Sequence, residues 1–83
     1  MTVSSKISAH QKRSVDWKQV GRRIRELRGF DMTQDEFAGY IGVSQGYLSS
    51  MEHGKKEVSA EILLRISREF GRSVDWLLTG KGG

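Results

Sequence analysis

Between Gln34 and Lys56 the chain gathers the amides of Gln34 and Gln45, the hydroxyls of Ser44, Tyr47, Ser49 and Ser50, the imidazole of His53 and the ammonium groups of Lys55 and Lys56. Amides and hydroxyls donate and accept hydrogen bonds, so this set suits recognition of a polar partner. Bond-making chemistry has less to work with. There is no cysteine, which excludes thiol nucleophiles, disulfides and sulfur-ligated zinc. His10 and His53 lie too far apart in sequence to suggest a histidine metal site. No serine, histidine and acid fall into a catalytic arrangement, and Asp35-Glu36 is better explained by the dipole preference of a helix's first turn than by acid–base work. The expectation is a protein that is not an enzyme, with no metal, no cofactor and no small-molecule substrate.

Charge is distributed in blocks. The 83 residues carry 14 Lys+Arg against 10 Asp+Glu, a net charge of +4. Met1 to Arg28 holds eight basic and two acidic residues; Gly29 to Gly54 holds four acids and no Lys or Arg; Lys55 to Gly83 holds six basic and four acidic residues. A polyanionic partner would meet full positive charge from the two ends of the chain and neutral polar groups from its middle. No apolar run is long enough to span a membrane, and Met1 to Ser14 lacks the apolar stretch of a signal peptide, so the expected setting is cytoplasmic. Eighty-three residues make one small domain.

The elements that must position these side chains read as helices. Residues 1–14 are polar and aperiodic, with Lys6, His10, Lys12 and Arg13 among them, and are expected to form a flexible basic arm. Residues 15–80 form the domain and 81–83 a short tail. Trp17, Val20, Ile24 and Leu27 fall on one face of a first helix that could start near Ser14 and stops at Gly29. Thr33-Gln34-Asp35-Glu36 is a capping box opening a second helix, with Phe37, Ala38 and Ile41 inward. Ser44 is the candidate cap of a third, which turns Leu48 and Met51 inward and ends at His53-Gly54. Ser59 caps a fourth, with Ile62, Leu63, Ile66 and Phe70 inward and Gly71 as its stop. Ser73 caps a fifth, closed by Gly80. With no proline and no strand-like alternation, the fold class is all-α, a compact five-helix bundle.

Ala38, Gly42 and Leu48 carry the functional pattern. A small residue lets the next helix cross closely, a glycine four positions on takes the positive φ of a sharp turn, and a leucine six further anchors the following helix. Phe37, Ile41, Val43 and Met51 fill the remaining inward positions. This is the helix-turn-helix pattern, whose second helix lies in the DNA major groove while the first crosses the backbone.

Beyond that spacing, Ile24-Arg25-Glu26-Leu27-Arg28, Met32-Thr33-Gln34, Phe37-Ala38, Ile41-Gly42-Val43-Ser44, Tyr47-Leu48-Ser49, Glu52-His53-Gly54 and Ser73-Val74-Asp75-Trp76-Leu77-Leu78-Thr79-Gly80 resemble the lambda-repressor-like (Cro/repressor-type) helix-turn-helix family over residues 17–80. The resemblance implies roles. Gln45, Gly46, Tyr47, Ser49 and Ser50 would read bases, Gln45 by pairing bidentately with adenine N6 and N7. Gln34 resembles a phosphate clamp that also braces the recognition helix, helped by the positive end of its own helix. Ser44, His53, Lys55 and Lys56 complete the phosphate-binding set, and Lys18, Arg22 and Arg25 extend the basic track. Arg28 and Glu52 look like the family's partly buried ion pair, a structural feature. The absence of Arg or Lys from the reading positions departs from the commonest guanine readout and favours A/T contacts or indirect readout.

The expected function is therefore sequence-specific double-stranded DNA binding by a transcription regulator of repressor type. One recognition helix reads few base pairs, so a homodimer is expected, with Val74, Trp76 and Leu78 as its interface. The alternative is a protein-interaction module of the same fold, an antitoxin or adaptor with a protein partner. The absence of cationic side chains between Gly29 and Gly54 keeps that reading open.

Overall fold

A computed structural model describes residues 14–82, and the expected basic residues of the arm, Lys6 to Arg13, lie outside them. Five helices follow: α1 (Trp17–Arg28), α2 (Gln34–Ile41), α3 (Gln45–Glu52), α4 (Ala60–Phe70) and α5 (Val74–Thr79). Among the described residues there is no strand. α1 begins at Trp17, later than the sequence suggested, because the Asp16 carboxylate caps it by accepting from the amides of Lys18 and Gln19 at 3.1 and 3.3 Å. Side-chain oxygens of Ser44, Ser59 and Ser73 cap α3, α4 and α5 in the same way.

The capping box on α2 is complete. Thr33 Oγ1 accepts from the Glu36 amide at 3.1 Å, and the Glu36 carboxylate accepts from the Thr33 amide at 2.9 Å. Helices of eight residues are marginal in water, so their ends matter. Replacing Thr33 with alanine is expected to cost about 1 kcal/mol, read as a lowered Tm with unchanged helical content in the folded state.

α1 is the hub. It packs against α3 on one side and α5 on another, while α2 contacts α3 and α4, and α4 contacts α5. Val20, Ile24, Phe37, Ile41, Leu48, Met51, Ile66 and Leu77 are fully buried between these layers. Phe37 of α2 stacks on Phe70 of α4, with ring centroids 4.8 Å apart and planes 17° from parallel. Gly42 makes the α2–α3 turn at φ +77°, a conformation L side chains rarely adopt.

The α1–α3 crossing depends on Gly21. A Cβ there would lie 2.6 Å from the Glu52 carbonyl oxygen and would also strike that of Met51. The missing side chain brings the backbone of α1 against the last turn of α3. On the other flank, the Arg23 guanidinium donates to the Leu77 carbonyl at 2.9 Å, tying the carboxyl end of α5 to α1.

Candidate nucleic-acid interface

α3 turns Leu48, Met51 and Glu52 inward, which leaves a polar stripe outside. Gln45 and Gly46 are exposed at its start, Ser49 and Ser50 half-buried one turn later, and His53 exposed at its end. Four of the five expected reading residues therefore share one face. Tyr47 sits at the edge of that face. It lies at the flank of the buried stripe, half-buried against the core, with the Lys56 ammonium 5.7 Å from its ring centroid. Its position beside Leu48 on an eight-residue helix turns the ring partly toward the core.

A chain of hydrogen bonds runs from the interior to this stripe. Arg28 donates through Nε and Nη2 to the two Glu52 carboxylate oxygens at 2.8 and 3.0 Å, a bidentate pair. Glu52 Oε1 also accepts from Gln34 Nε2 at 2.9 Å, and Gln34 Oε1 accepts from Gln45 Nε2 at 3.4 Å. The Glu52 side chain is only 2% exposed. Burial works against its charge, but hydrogen bonds from Arg28 and Gln34, and the positive charges of Arg28 and Arg25, hold its pKa below the ordinary carboxylate value. The same hydrogen bond pushes the Arg28 pKa up against burial, with the carboxylate charge adding to it. Among the described residues no buried side-chain nitrogen or oxygen lacks a partner.

The remaining expected residues gather around the same helix. Ser44 Oγ accepts from the Tyr47 amide at 3.1 Å, so it caps α3 while staying exposed. His53 Nδ1 lies 2.7 Å from the Ser49 carbonyl, an acceptor, so this nitrogen carries the hydrogen. Gly54 at φ +72° ends the helix in a Schellman turn, its amide donating to the Met51 carbonyl and that of Lys55 to Ser50. Lys55 and Lys56 then stand exposed. Lys18, Arg22 and Arg25 are exposed at i, i+4 and i+7 of α1, and a Cβ on Gly54 would lie 2.7 Å from Lys18 Cα. The α1 basic stripe is thus continuous with the loop after α3.

Val74, Trp76 and Leu78 belong to a separate surface on α5. All three are half-buried against the core, and the Arg72 guanidinium covers the Trp76 ring at 3.7 Å. A depression of about 500 Å³ beside α1 is lined by Arg22, Arg25, Glu26, Arg28, Gly29 and the fully exposed Phe30. The described residues hold no group of His, Cys, Asp and Glu placed to bind a metal ion. No helix among them is long and apolar enough to cross a membrane.

Sequence reasoning did not find the Gln34–Glu52 bond, the Gly21 crossing or the Arg23 tie. Each depends on helices distant in sequence meeting at one point. Gly21 offered the one readable signal, a glycine in the middle of an otherwise good helix.

A helix-turn-helix family model matches residues 22–77, from the middle of α1 into α5. The P22 c2 repressor protein, solved in complex with a synthetic operator, superposes with a TM-score of 0.69 at 33% identity, covering 75% of this chain and 96% of that one. The chain belongs to the helix-turn-helix family, in its Cro/repressor branch. This helix-turn-helix chain is also 40% identical over 62 residues to a propionyl-CoA carboxylase regulator of Cereibacter sphaeroides, covering 74% of itself and 13% of that protein. It is 40% identical over 55 residues to the antitoxin PezA of Streptococcus pneumoniae, covering 65% of itself and 35% of that protein. The chain thus spans well under half the length of these two relatives.

Proposed function

We propose that this chain is a cytoplasmic, sequence-specific DNA-binding transcription regulator of repressor type, and not an enzyme. The observation that carries the reading is the outward polar stripe of α3, with Gln45 held at its leading edge by Gln34. Inserted in the major groove, Gln45, Gly46, Ser49 and Ser50 meet base edges, with Tyr47 at the margin. Gln34, Ser44, His53, Lys55 and Lys56 flank them and contact phosphates, and the α1 stripe adds charge. Lacking Arg and Lys, the stripe suits A·T pairs better than guanine.

A homodimer through Val74, Trp76 and Leu78 doubles the site read, with half-sites about 34–36 Å apart. Sedimentation of the purified chain tests this part. A dimer at micromolar concentration, converted to monomer by Leu78→Asp, is expected, and a monomer at high micromolar concentration overturns it.

A second reading, a protein-interaction module, is favoured by the likeness to PezA and by the lack of cations between Gly29 and Gly54. Selection from a randomised duplex library at near-physiological salt separates the two. A two-fold symmetric, A/T-leaning motif whose affinity falls steeply with salt supports the regulator. Weak retention with no motif supports the protein partner.

Gly46 gives a sharper local test. A Cβ there meets nothing within 4 Å in the free protein. Gly46→Ala is therefore expected to leave the fold intact or stabilise it by up to about 1 kcal/mol. If it also weakens specific binding tenfold or more, the base pair approaches α3 too closely for a methyl group. Unchanged binding removes Gly46 from the reading set.

A further inference from the structure

We infer that Arg23 is a positioning residue for operator spacing. By tying the carboxyl end of α5 to α1 it fixes the angle at which two copies of this chain present their α3 helices, and so selects the distance between half-sites that a dimer accepts. The inference rests on the DNA-binding and dimer readings above and adds to them the residue that sets the geometry between the two.

The path from the reading helix to the dimer helix runs through α1. Consecutive helical residues are turned by about 100°, so Gly21 and Arg23 stand about 200° apart around the α1 axis. Gly21 is buried against the Met51 and Glu52 carbonyls at the end of α3. Arg23 faces the other way, where its Nη1 donates to the Leu77 carbonyl of α5 at 2.9 Å. Within one turn, α1 therefore grips α3 with one face and α5 with the opposite face.

The two grips differ in kind. At α3, backbone meets backbone and leaves no room for play. α5 has six residues, and Leu77 is the one among them that is buried. A helix so short does not fix its own direction, and one held at a single buried side chain can tilt and swivel about it. Arg23 removes that freedom. Its guanidinium meets the last-turn carbonyls, the negative end of the helix. Gly80 completes the seat. It ends α5 at φ +81°, and a Cβ there would lie 2.9 Å from Arg23 Nη2 and 3.1 Å from Nε. The guanidinium thus fills the space a side chain would take, bonded to one residue of α5 and packed against its terminal glycine. A planar fork held at two places fixes direction as well as supplying charge.

Small angles matter at this joint. In a dimer with half-sites about 34–36 Å apart, each α3 lies about 17 Å from the two-fold axis. Over that distance a tilt of ~10° in α5 moves α3 by ~3 Å, close to the ~3.4 Å rise of one base pair. One added base pair also turns a half-site by about 35°. A joint free to tilt and swivel accepts spacings that a pinned joint rejects.

The test uses the full chain and the two-fold motif recovered by selection, prepared with its own spacer and with spacers one base pair shorter and longer. The readout is the affinity for the selected spacer divided by that for the better of the altered two. Arg23→Met removes the tie and the charge. Gly80→Ala keeps the charge and displaces the guanidinium from its seat. Each variant is checked for folding by circular dichroism and for dimerisation by sedimentation at the concentration used. The wild type is expected to prefer its own spacer by on the order of tenfold or more, the scale of one mismatched base pair, and each variant to lower that ratio by roughly threefold or more. Base preferences inside a half-site are expected to stay unchanged. Loss of a phosphate contact or of stability lowers affinity for all three duplexes alike and leaves the ratio where it was.

An unchanged ratio in folded, dimeric Arg23→Met overturns the inference and leaves the regulator and dimer readings standing. If Arg23→Met fails to fold, Gly80→Ala decides, and an unchanged ratio there overturns it. Variants that fold but sediment as monomers also overturn it, because the tie would then hold the interface together rather than set its angle. A wild type that selects a single half-site, or is indifferent to the spacer, removes the dimer reading and the inference with it. Absence of any selected motif removes the DNA-binding reading and both that depend on it.

Discussion

Glu52→Ala is expected to lower the folding free energy by about 3 kcal/mol, because it leaves the half-buried Arg28 guanidinium without its partner. Arg28 and Gln34 both lose their acceptor in one step, and α1, α2 and α3 lose their common meeting point. In a domain of this size each kcal/mol shifts Tm by about 4–8 °C, so the variant is expected to melt at least ~12 °C below wild type. Thermal unfolding monitored by circular dichroism reads this directly. A loss under 1 kcal/mol would mean that water reaches the pair. Replacing both partners together, Arg28→Met with Glu52→Leu, is expected to recover most of the stability, since well-packed apolar side chains often match a buried pair.

The same group sets a pH dependence. Its folded pKa lies below the unfolded one, so its contribution is present above the unfolded carboxylate pKa and is lost as pH falls through the lowered folded value. Arg28 shifts the other way, and its contribution is lost only in strong base. The Tm difference between wild type and Glu52→Gln is therefore expected to be constant near neutrality and to narrow in acid. A difference that widens in acid would contradict the assignment.

Gly21→Ala is the second large effect. A methyl group at this position strikes the Met51 and Glu52 carbonyl oxygens, which belong to helix backbone and have no rotamer to escape into. α1 and α3 must move apart, opening space around Val20, Ile24 and Met51. Overpacking of this kind costs about 1–3 kcal/mol, occasionally more. The control is Gly39→Ala in α2, where nothing lies within 4 Å and the helix propensity of alanine acts alone. It is expected to stabilise by about 0.5–1 kcal/mol. One substitution, made twice on helical glycines, thus changes sign with the neighbour. Equal effects at the two sites, measured by urea unfolding, would refute the close crossing.

The helices were legible because their ends are written in local chemistry. Thr33 with Glu36, Ser44, Ser59 and Ser73 each satisfy amides within three residues, so the signal lies in a short window of sequence. Gly42 and Gly54 were readable for the same reason. The outward polar stripe on α3 was legible from period alone, and Tyr47 lies at the boundary between its two faces. The Arg28–Glu52 pair was anticipated only through family resemblance, since its partners are 24 residues apart. The Gln34–Glu52 bond and the Arg23–Leu77 tie had no local signature, because each exists only once two separate helices have packed.

α3 has eight residues, too few to persist as a helix by itself in water. Its inward side is held by the Gly21 crossing and by Leu48 in the core, while its outward side stands open. Exposure of the outer surface therefore does not imply that the element is loose. Amide hydrogen exchange should find the Leu48 and Met51 N–H groups among the slowest in the chain, opening only when the whole domain unfolds. The helix that would enter the groove is already formed before any partner arrives, and association would carry no entropic charge for building it.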